Sequence, residues 1–430
     1  MRNLFKKILP LLWLLVAVQG ASQWFRPSVI PTVVWWIVDI LLLLEFADDY
    51  FRSPRSGILW VRIFLLWVLV EAIRGLILSE GYWDYKALCE NLFVFLLPLC
   101  AIRYGRTDTL KSDCWLLLLL IVPLFFLLQW NMTTEGVGRF FFIITFFLLF
   151  LPRINPVHRL FLYLILALIV LFSSLESRAM TLRIVCGLLL SLTLLNPSLL
   201  RLRSWFRVVG VLFLLTPIVL IILAQLNLFN VFDLMERNEG KYIVVVDDSE
   251  NDHPKGYSDL MDDTRTFIYE ETINSAVRSG YAIWGHSLAR GYRSETFGWS
   301  TDQTSGYRRE RNNGEVGVLN VFTHMGLVGV ILYFLLFATA GMTAINKANS
   351  PQMMVLGLWV CFRWLLSWLE EFTMFDLNNV LLWVEIGMCC SPAFLSMNRA
   401  AFSSFLNNCF PLNRFLRVDP RINRFRSLTH

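Results

Sequence analysis

The segment Ser173-Ser174-Leu175-Glu176-Ser177-Arg178 ends an apolar run on a guanidinium, with Arg183 five residues further on. A charge held at the edge of an apolar span is costly and is typically kept to handle a substrate or ion. Arg178 equally fits a side chain that only snorkels to the interface. A polar stretch at 230–315 adds Arg265, Arg278, Arg290, Arg293, Arg308, Arg309 and Arg311, with Glu295, Asp302 and Glu310 among them. Arginine presents planar, paired donors that match phosphate oxygens and stays charged at any relevant pH. As a set these residues point to an anionic guest such as a diphosphate; each one alone also fits an internal ion pair of a solvated loop. The stretch closes on Glu315-Val-Gly-Val-Leu-Asn-Val-Phe-Thr-His324-Met-Gly326-Leu-Val-Gly329. A carboxylate at Glu315, partly desolvated, would be a stronger proton acceptor for a hydroxyl. Its other role is to place negative charge at the start of the next helix. His324 lies two to three turns deeper, lining a cavity or satisfying a buried partner. His286, in Trp284-Gly285-His286, completes the candidate residues.

The elements that must position these groups are membrane helices. The chain of 430 residues is 56% hydrophobic and only 17% charged, which excludes a soluble globular protein. About twelve apolar windows of variable length are candidate spans, near 8–24, 30–46, 57–79, 87–102, 114–130, 138–151, 159–175, 179–195, 206–228, 316–340, 352–369 and 376–395. Basic residues fall in alternate connections: Arg2, Lys6 and Lys7; Arg52 and Arg55; Arg103, Arg106 and Lys111; Arg153 and Arg159; Arg201, Arg203 and Arg207; Lys347. The connections between them are acidic, with Glu80 and Asp84, Glu135, and Glu370 with Glu371. By the positive-inside rule both termini are cytoplasmic and 230–315 is outside. Arg2, Lys6 and Lys7 followed by a short apolar run and Gln19-Gly20-Ala21-Ser22 also fit a cleaved leader, and the later spans keep their orientation either way. The expected architecture is thus all-α, a polytopic helical bundle: spans within 1–229, an external loop at 230–315, further spans within 316–395 and a basic tail at 396–430.

In the loop, Tyr242 to Val246 reads as a strand and Asp263 to Ser279 as an amphipathic helix on the outer surface, with Phe267, Ile268, Thr272, Ile273 and Ala276 at helical spacing. Gly280 to Gly314 reads as irregular. Gly326 with Gly329, and Gly314 with Gly317, are small residues that would let a neighbouring helix approach. Glu71 and Arg74, three apart, are placed to touch on one helix face, and Arg363 with Glu385 to pair between helices. The eight cysteines form no disulfide framework or zinc spacing, and Asp247-Asp248 and Asp262-Asp263 lack further ligands at metal spacing. The tail alternates Arg399, Arg414, Arg417, Arg421, Arg424 and Arg426 with Phe402, Phe405, Phe410 and Phe415, a pattern suited to anionic membrane lipids and not to nucleic acid.

With Ser177-Arg178, Asp263-Thr264-Arg265 leading to Trp284-Gly285-His286, and Glu315 leading to Gly326-Leu-Val-Gly329 in order, residues 170–340 resemble the O-antigen ligase and O-antigen polymerase superfamily. The resemblance implies a metal-independent, cofactor-free membrane glycosyltransferase of the bacterial inner membrane. Its donor would be a polyprenyl diphosphate-linked oligosaccharide and its acceptor a sugar hydroxyl at the outer face. Arg178 and Arg265 would hold the donor diphosphate and stabilise the leaving charge, with Arg290, Arg293, His286 and His324 lining the substrate and Glu315 acting as base. Ligases of the family carry a His-Asn pair where this chain has Glu315-Val316, so the resemblance leans to the polymerases, which can work with a chain-length regulator. A ligase acting on a lipid or protein acceptor and a flippase for a lipid-linked sugar remain the alternatives; a flippase would keep charges along a midplane path.

Overall fold

The computed structural model describes residues 2–25, 30–52, 59–104, 110–173, 178–196, 203–225, 264–295 and 308–410. The strand-like run at 242–246, the aspartate pairs at 247–248 and 262–263, and the tail from 411 onward lie outside these residues. The chain is mostly helical: α1 (Arg2–Ser22), α2 (Thr32–Arg52), α3 (Leu59–Leu78), α4 (Tyr82–Leu96), α5 (Leu99–Tyr104), α6 (Leu110–Asp113), α7 (Trp115–Leu128), α8 (Thr134–Phe140), α9 (Ile143–Leu148), α10 (Pro156–Phe172), α11 (Arg178–Leu192), α12 (Arg203–Gln225), α13 (Thr264–Arg278), α14 (Gly317–Lys347), α15 (Pro351–Leu366), α16 (Leu377–Cys390), α17 (Pro392–Ser396) and α18 (Arg399–Asn408). The one sheet among the described residues is the antiparallel pair β1 (Tyr292–Arg293) and β2 (Glu310–Arg311).

Every apolar window expected from the sequence holds a helix or a broken pair of helices. Among the described residues three reach the length and apolarity needed to cross a membrane: Tyr82–Tyr104, Arg203–Leu223 and Gly317–Lys347. Ile8–Ser22, Trp115–Asn131, Pro156–Phe172, Met180–Leu195, Pro351–Leu366 and Leu377–Cys390 are shorter apolar helices. Pro98 lacks the N–H that would continue α4 into α5, which explains the break there. The window at 138–151 is two short helices, and Phe140 to Leu149 are buried on every side. A segment apolar all round belongs in the middle of a bundle. Trp13, Trp359 and Trp364 complete that core. The indole N–H of Trp364 donates to the Leu214 carbonyl at 3.1 Å and that of Trp359 to Glu385 Oε1 at 3.1 Å. Leu66, Leu69 and Ile77 on α3, Leu160 and Leu171 on α10, and Leu212 and Ile222 on α12 are exposed, so the bundle is apolar outside as well as inside.

The connections sort to two ends. At one end Arg103 pairs with Glu45 at 3.1 Å, Arg203 donates to the Asn346 and Ala348 carbonyls at 2.6 Å, and the Asn155 N–H donates to Asn407 at 2.8 Å. At the other, Arg308 pairs with Asp84, Arg139 pairs with Asp376 at 3.1 Å, and the Thr133 N–H donates to the Trp24 carbonyl at 3.1 Å. The first end carries the basic connections and the second the acidic ones.

Three expectations are corrected. The start of the tail does not lie free on a surface: Phe402, Phe405 and Phe410 are buried in the bundle, with Phe410 stacked on His158 at 4.4 Å. Arg363 and Glu385 do not bond directly; Arg363 donates to the Asn378 side chain at 2.6 Å, and Glu385 accepts from Trp359. Gly326 does not admit a neighbouring helix, because its φ of +66° kinks α14.

Candidate functional site

The kink in α14 makes a socket for residues 281–287. At Gly326 the helical ladder breaks, and each broken bond would leave an orphan backbone group. The loop supplies the partners: His286 N–H donates to the Thr323 carbonyl at 2.7 Å, Leu327 N–H to Ala282 at 2.9 Å, and Val328 N–H to Ile283 at 3.3 Å. Trp67 adds its indole N–H to the Met325 carbonyl at 3.1 Å. A Cβ on Gly326 would sit 2.2 Å from the Ile283 carbonyl oxygen, and one on Gly285 2.5 Å from that of His324, so glycine is required on both faces of the joint. The segment 281–287, centred on Trp284-Gly285, is therefore a plug whose backbone repairs a broken helix.

The helix expected at 263–279 is α13, and its apolar face packs on protein. Ile268 joins Tyr292, Val316 and Leu319 in a small cluster, while Ile273 is exposed. Tyr281 donates to Ser275 at 2.8 Å and stacks flat on His286, with ring centroids 4.4 Å apart. Burial pushes the Tyr281 hydroxyl up to about 12 and holds His286 below its ordinary value. The neutral His286 ring contacts the Gly291 carbonyl through Nδ1 at 2.7 Å; donation there leaves Nε2 as the acceptor.

Most of the loop arginines are neutralised where they stand. Glu310, 8% exposed, grips Arg290 from two oxygens, with Nε to Oε2 at 2.9 Å, and lies 3.5 Å from Arg308. Arg308 also meets Asp84, and Glu80 at 3.4 Å, which ties the loop to the start of α4. Arg74, held by Glu71 at 2.7 Å as its spacing suggested, donates onward to the Trp284 and Gly285 carbonyls at 3.1 Å. Arg290 is thus a brace for the loop, and a phosphate would have to compete with Glu310 for it. Arg293 is exposed at the edge of β1.

Glu315 differs from its expected setting. Its side chain is half exposed, 3.6 Å from Arg311, and makes no cap bond to α14. The first-turn N–H groups of α14 are satisfied elsewhere: Gly317 donates to the Glu370 carbonyl at 2.8 Å and Val318 to Ser367 at 3.0 Å. His324 is fully buried between the Ser287 carbonyl at 3.1 Å and Asn313 Oδ1 at 3.3 Å, a residue that fastens the loop to the helix.

The turn at 367–376, between α15 and α16, is where the separate motifs meet. Tyr269 on α13, one turn past Arg265, donates to the Trp368 carbonyl at 2.6 Å. Arg183 on α11, five residues past Arg178, pairs with Glu370 at 2.6 Å and lies 4.2 Å over the Phe142 ring. Asn320 on α14 reaches Glu371 at 2.9 Å and Thr373 at 2.7 Å. Arg178 opens α11 and Arg265 lies in the first turn of α13; their side chains lie outside the described residues. By their place in the sequence Glu370 and Glu371 mark only an acidic connection. Two adjacent acids at the end of an apolar span were the available signal for more. Glu371 is buried, and desolvation pushes its carboxyl up to about 7 despite its bonds from Thr373. A carboxyl tuned near neutrality suits proton transfer.

Compared with models of known protein families, with curated proteins and with solved structures, the chain gives no match.

Proposed function

We propose that this chain is a polytopic membrane glycosyltransferase of the O-antigen polymerase kind. It would join polyprenyl diphosphate-linked oligosaccharide units at the outer face of a bacterial inner membrane, with about twelve spans and the 230–315 loop outside. The observation that supports this reading is the meeting of three elements on one turn. The helices opened by Arg178 and Arg265 and the helix that follows Glu315 all contact residues 367–371. In this reading the acceptor hydroxyl attacks the donor's anomeric carbon, its proton passes to a carboxylate, and the diphosphate leaves toward Arg178 and Arg265. Glu315 is the exposed candidate for that carboxylate and Glu371 the buried, tuned one.

The test is the size distribution of surface polysaccharide in a deletion strain complemented with wild type, Arg178→Ala, Arg265→Ala, Glu315→Ala or Glu371→Gln, with membrane levels matched. The expected outcome is single-unit glycan in the deletion and in both arginine variants where wild type makes long chains. Whichever glutamate variant matches them identifies the base. Long lipid-linked chains left unattached would replace this reading with a ligase. Accumulation of unflipped units would replace it with a transporter.

A further inference from the structure

At the end of the bundle away from residues 367–376, α10 and α11 stand apart. Both pack on α9 and only sparsely on each other. The space between them is a groove of about 550 Å³, within the ~300–1,000 Å³ range of ligand pockets. α10 supplies Arg159 and Tyr163 to its walls, α11 supplies Val185, Leu189 and Leu192, and Leu151, just after α9, completes them. Tyr163, Val185, Leu189 and Leu192 are exposed, so the groove opens on the apolar outside of the bundle.

The rim of this groove is basic. Arg159 is part exposed and lies one helical turn from Tyr163, on the same face of α10. Beside the lining residues Pro152 and Leu195, Arg153 donates to the Leu194 carbonyl at 2.5 Å. Burial lowers the Arg153 pKa, and the neighbouring charge of Arg399, at the start of α18, lowers it further. Among the described residues none of these three arginines forms an ion pair. The arginines at the other end are different, since carboxylates hold Arg139, Arg290 and Arg308. A cluster of like charges without its own anion attracts one from outside the chain.

The wall selects which anion. A soluble phosphate would gain nothing from Val185, Leu189 and Leu192, and an uncharged lipid nothing from the arginines. A basic rim over an apolar groove at the end of a span suits a lipid phosphate with a hydrocarbon chain below it. A zwitterionic headgroup carries a cation that the same arginines repel.

We infer that this groove binds an anionic phospholipid of the leaflet at the basic end of the bundle, with its phosphate on Arg159 and Tyr163 and an acyl chain between α10 and α11. The site rests on the membrane reading of the chain and is independent of the transferase reading, which assigns the glycan donor to the opposite end. In the proposed orientation the leaflet is the cytoplasmic one.

The experiment is native mass spectrometry of the full-length protein in mild detergent, titrated with phosphatidylglycerol or with phosphatidylethanolamine of the same acyl chains. Wild type should hold one phosphatidylglycerol at about ten-fold lower lipid concentration than phosphatidylethanolamine. Arg159→Gln should abolish the preference while leaving phosphatidylethanolamine unchanged. Leu189→Trp, which fills the groove, should weaken both lipids. Lys347→Gln, at the same end but outside the lining, should behave as wild type. Equal binding of the two lipids by wild type overturns the site. So does a preference that survives Arg159→Gln, lipid binding unchanged in Leu189→Trp, or a preference lost equally in Lys347→Gln. Displacement of phosphatidylglycerol by inorganic phosphate, or by a polyprenyl phosphate at lower concentration, overturns the phospholipid assignment. A chain that fractionates with soluble protein removes the membrane reading and the site with it.

Discussion

Glu371 gathers more of the site's chemistry than any residue picked out by type and spacing. Its carboxyl sits at about 7 in the fold against an ordinary 4.5 because burial disfavours the charged form. The folded state therefore binds this proton more tightly than the unfolded chain. The contribution to stability is complete below pH 4.5 and is lost as pH rises toward 7, by up to about 3 kcal/mol. Glu371→Gln should remove that slope: the variant should gain on wild type from pH 5 to pH 8 in thermal-aggregation midpoints measured in detergent. Parallel midpoints at the two pH values would refute the assignment. At the loop, Arg290→Ala removes the two-oxygen partner of the buried Glu310, leaving Arg308 at 3.5 Å, and should destabilise the loop by about 3 kcal/mol, read as faster protease cleavage between 280 and 311. Arg293→Ala, on an exposed strand edge, should leave cleavage unchanged. The sequence was informative about which residues carry charge and weak on which charges remain available. Pairing such as Arg308 with Asp84 spans residues far apart in the chain.

Among the elements, the joint between α14 and the 281–287 plug governs the shape of the site. Gly326→Ala would place a methyl 2.2 Å from a backbone oxygen at a φ of +66°, and Gly285→Ala at a φ of +84° meets the same obstruction from the other side. Each should cost at least about 3 kcal/mol or prevent accumulation in the membrane. Gly81→Ala, with nothing within 4 Å and an extended backbone, should stay within about 0.5 kcal/mol. Thermal inactivation of the three variants in parallel checks this, and equal behaviour would show that the plug does not depend on the glycines. Periodicity alone placed α13 within a residue of its ends, because Ile268, Thr272 and Ala276 recur at helical spacing on a buried face. The same spacing at Gly326 and Gly329 read as helix packing. A kink and a packing face use the same residue type, and only the partner tells them apart.

At the scale of the whole molecule, the alternation of basic and acidic connections and the two-ended sorting of contacts agree without depending on each other. The proposed orientation, with 230–315 outside the inner membrane, is checked in a cysteine-free background: it requires Arg293→Cys to react with a membrane-impermeant maleimide once the outer envelope is permeabilised, and Asn349→Cys only after the inner membrane is opened. The reverse pattern would invert the topology and place the candidate site in the cytoplasm. The sequence by itself determined the helical class, the apolar windows and the candidate charges. Those follow from local composition and spacing, which act over a few turns of chain. It did not determine that residues 367–376 would be the meeting point, that Glu371 would be tuned by burial, or that α10 and α11 would stand apart over a groove. Those depend on desolvation and on contacts between residues hundreds of positions apart, and only the tertiary packing creates either.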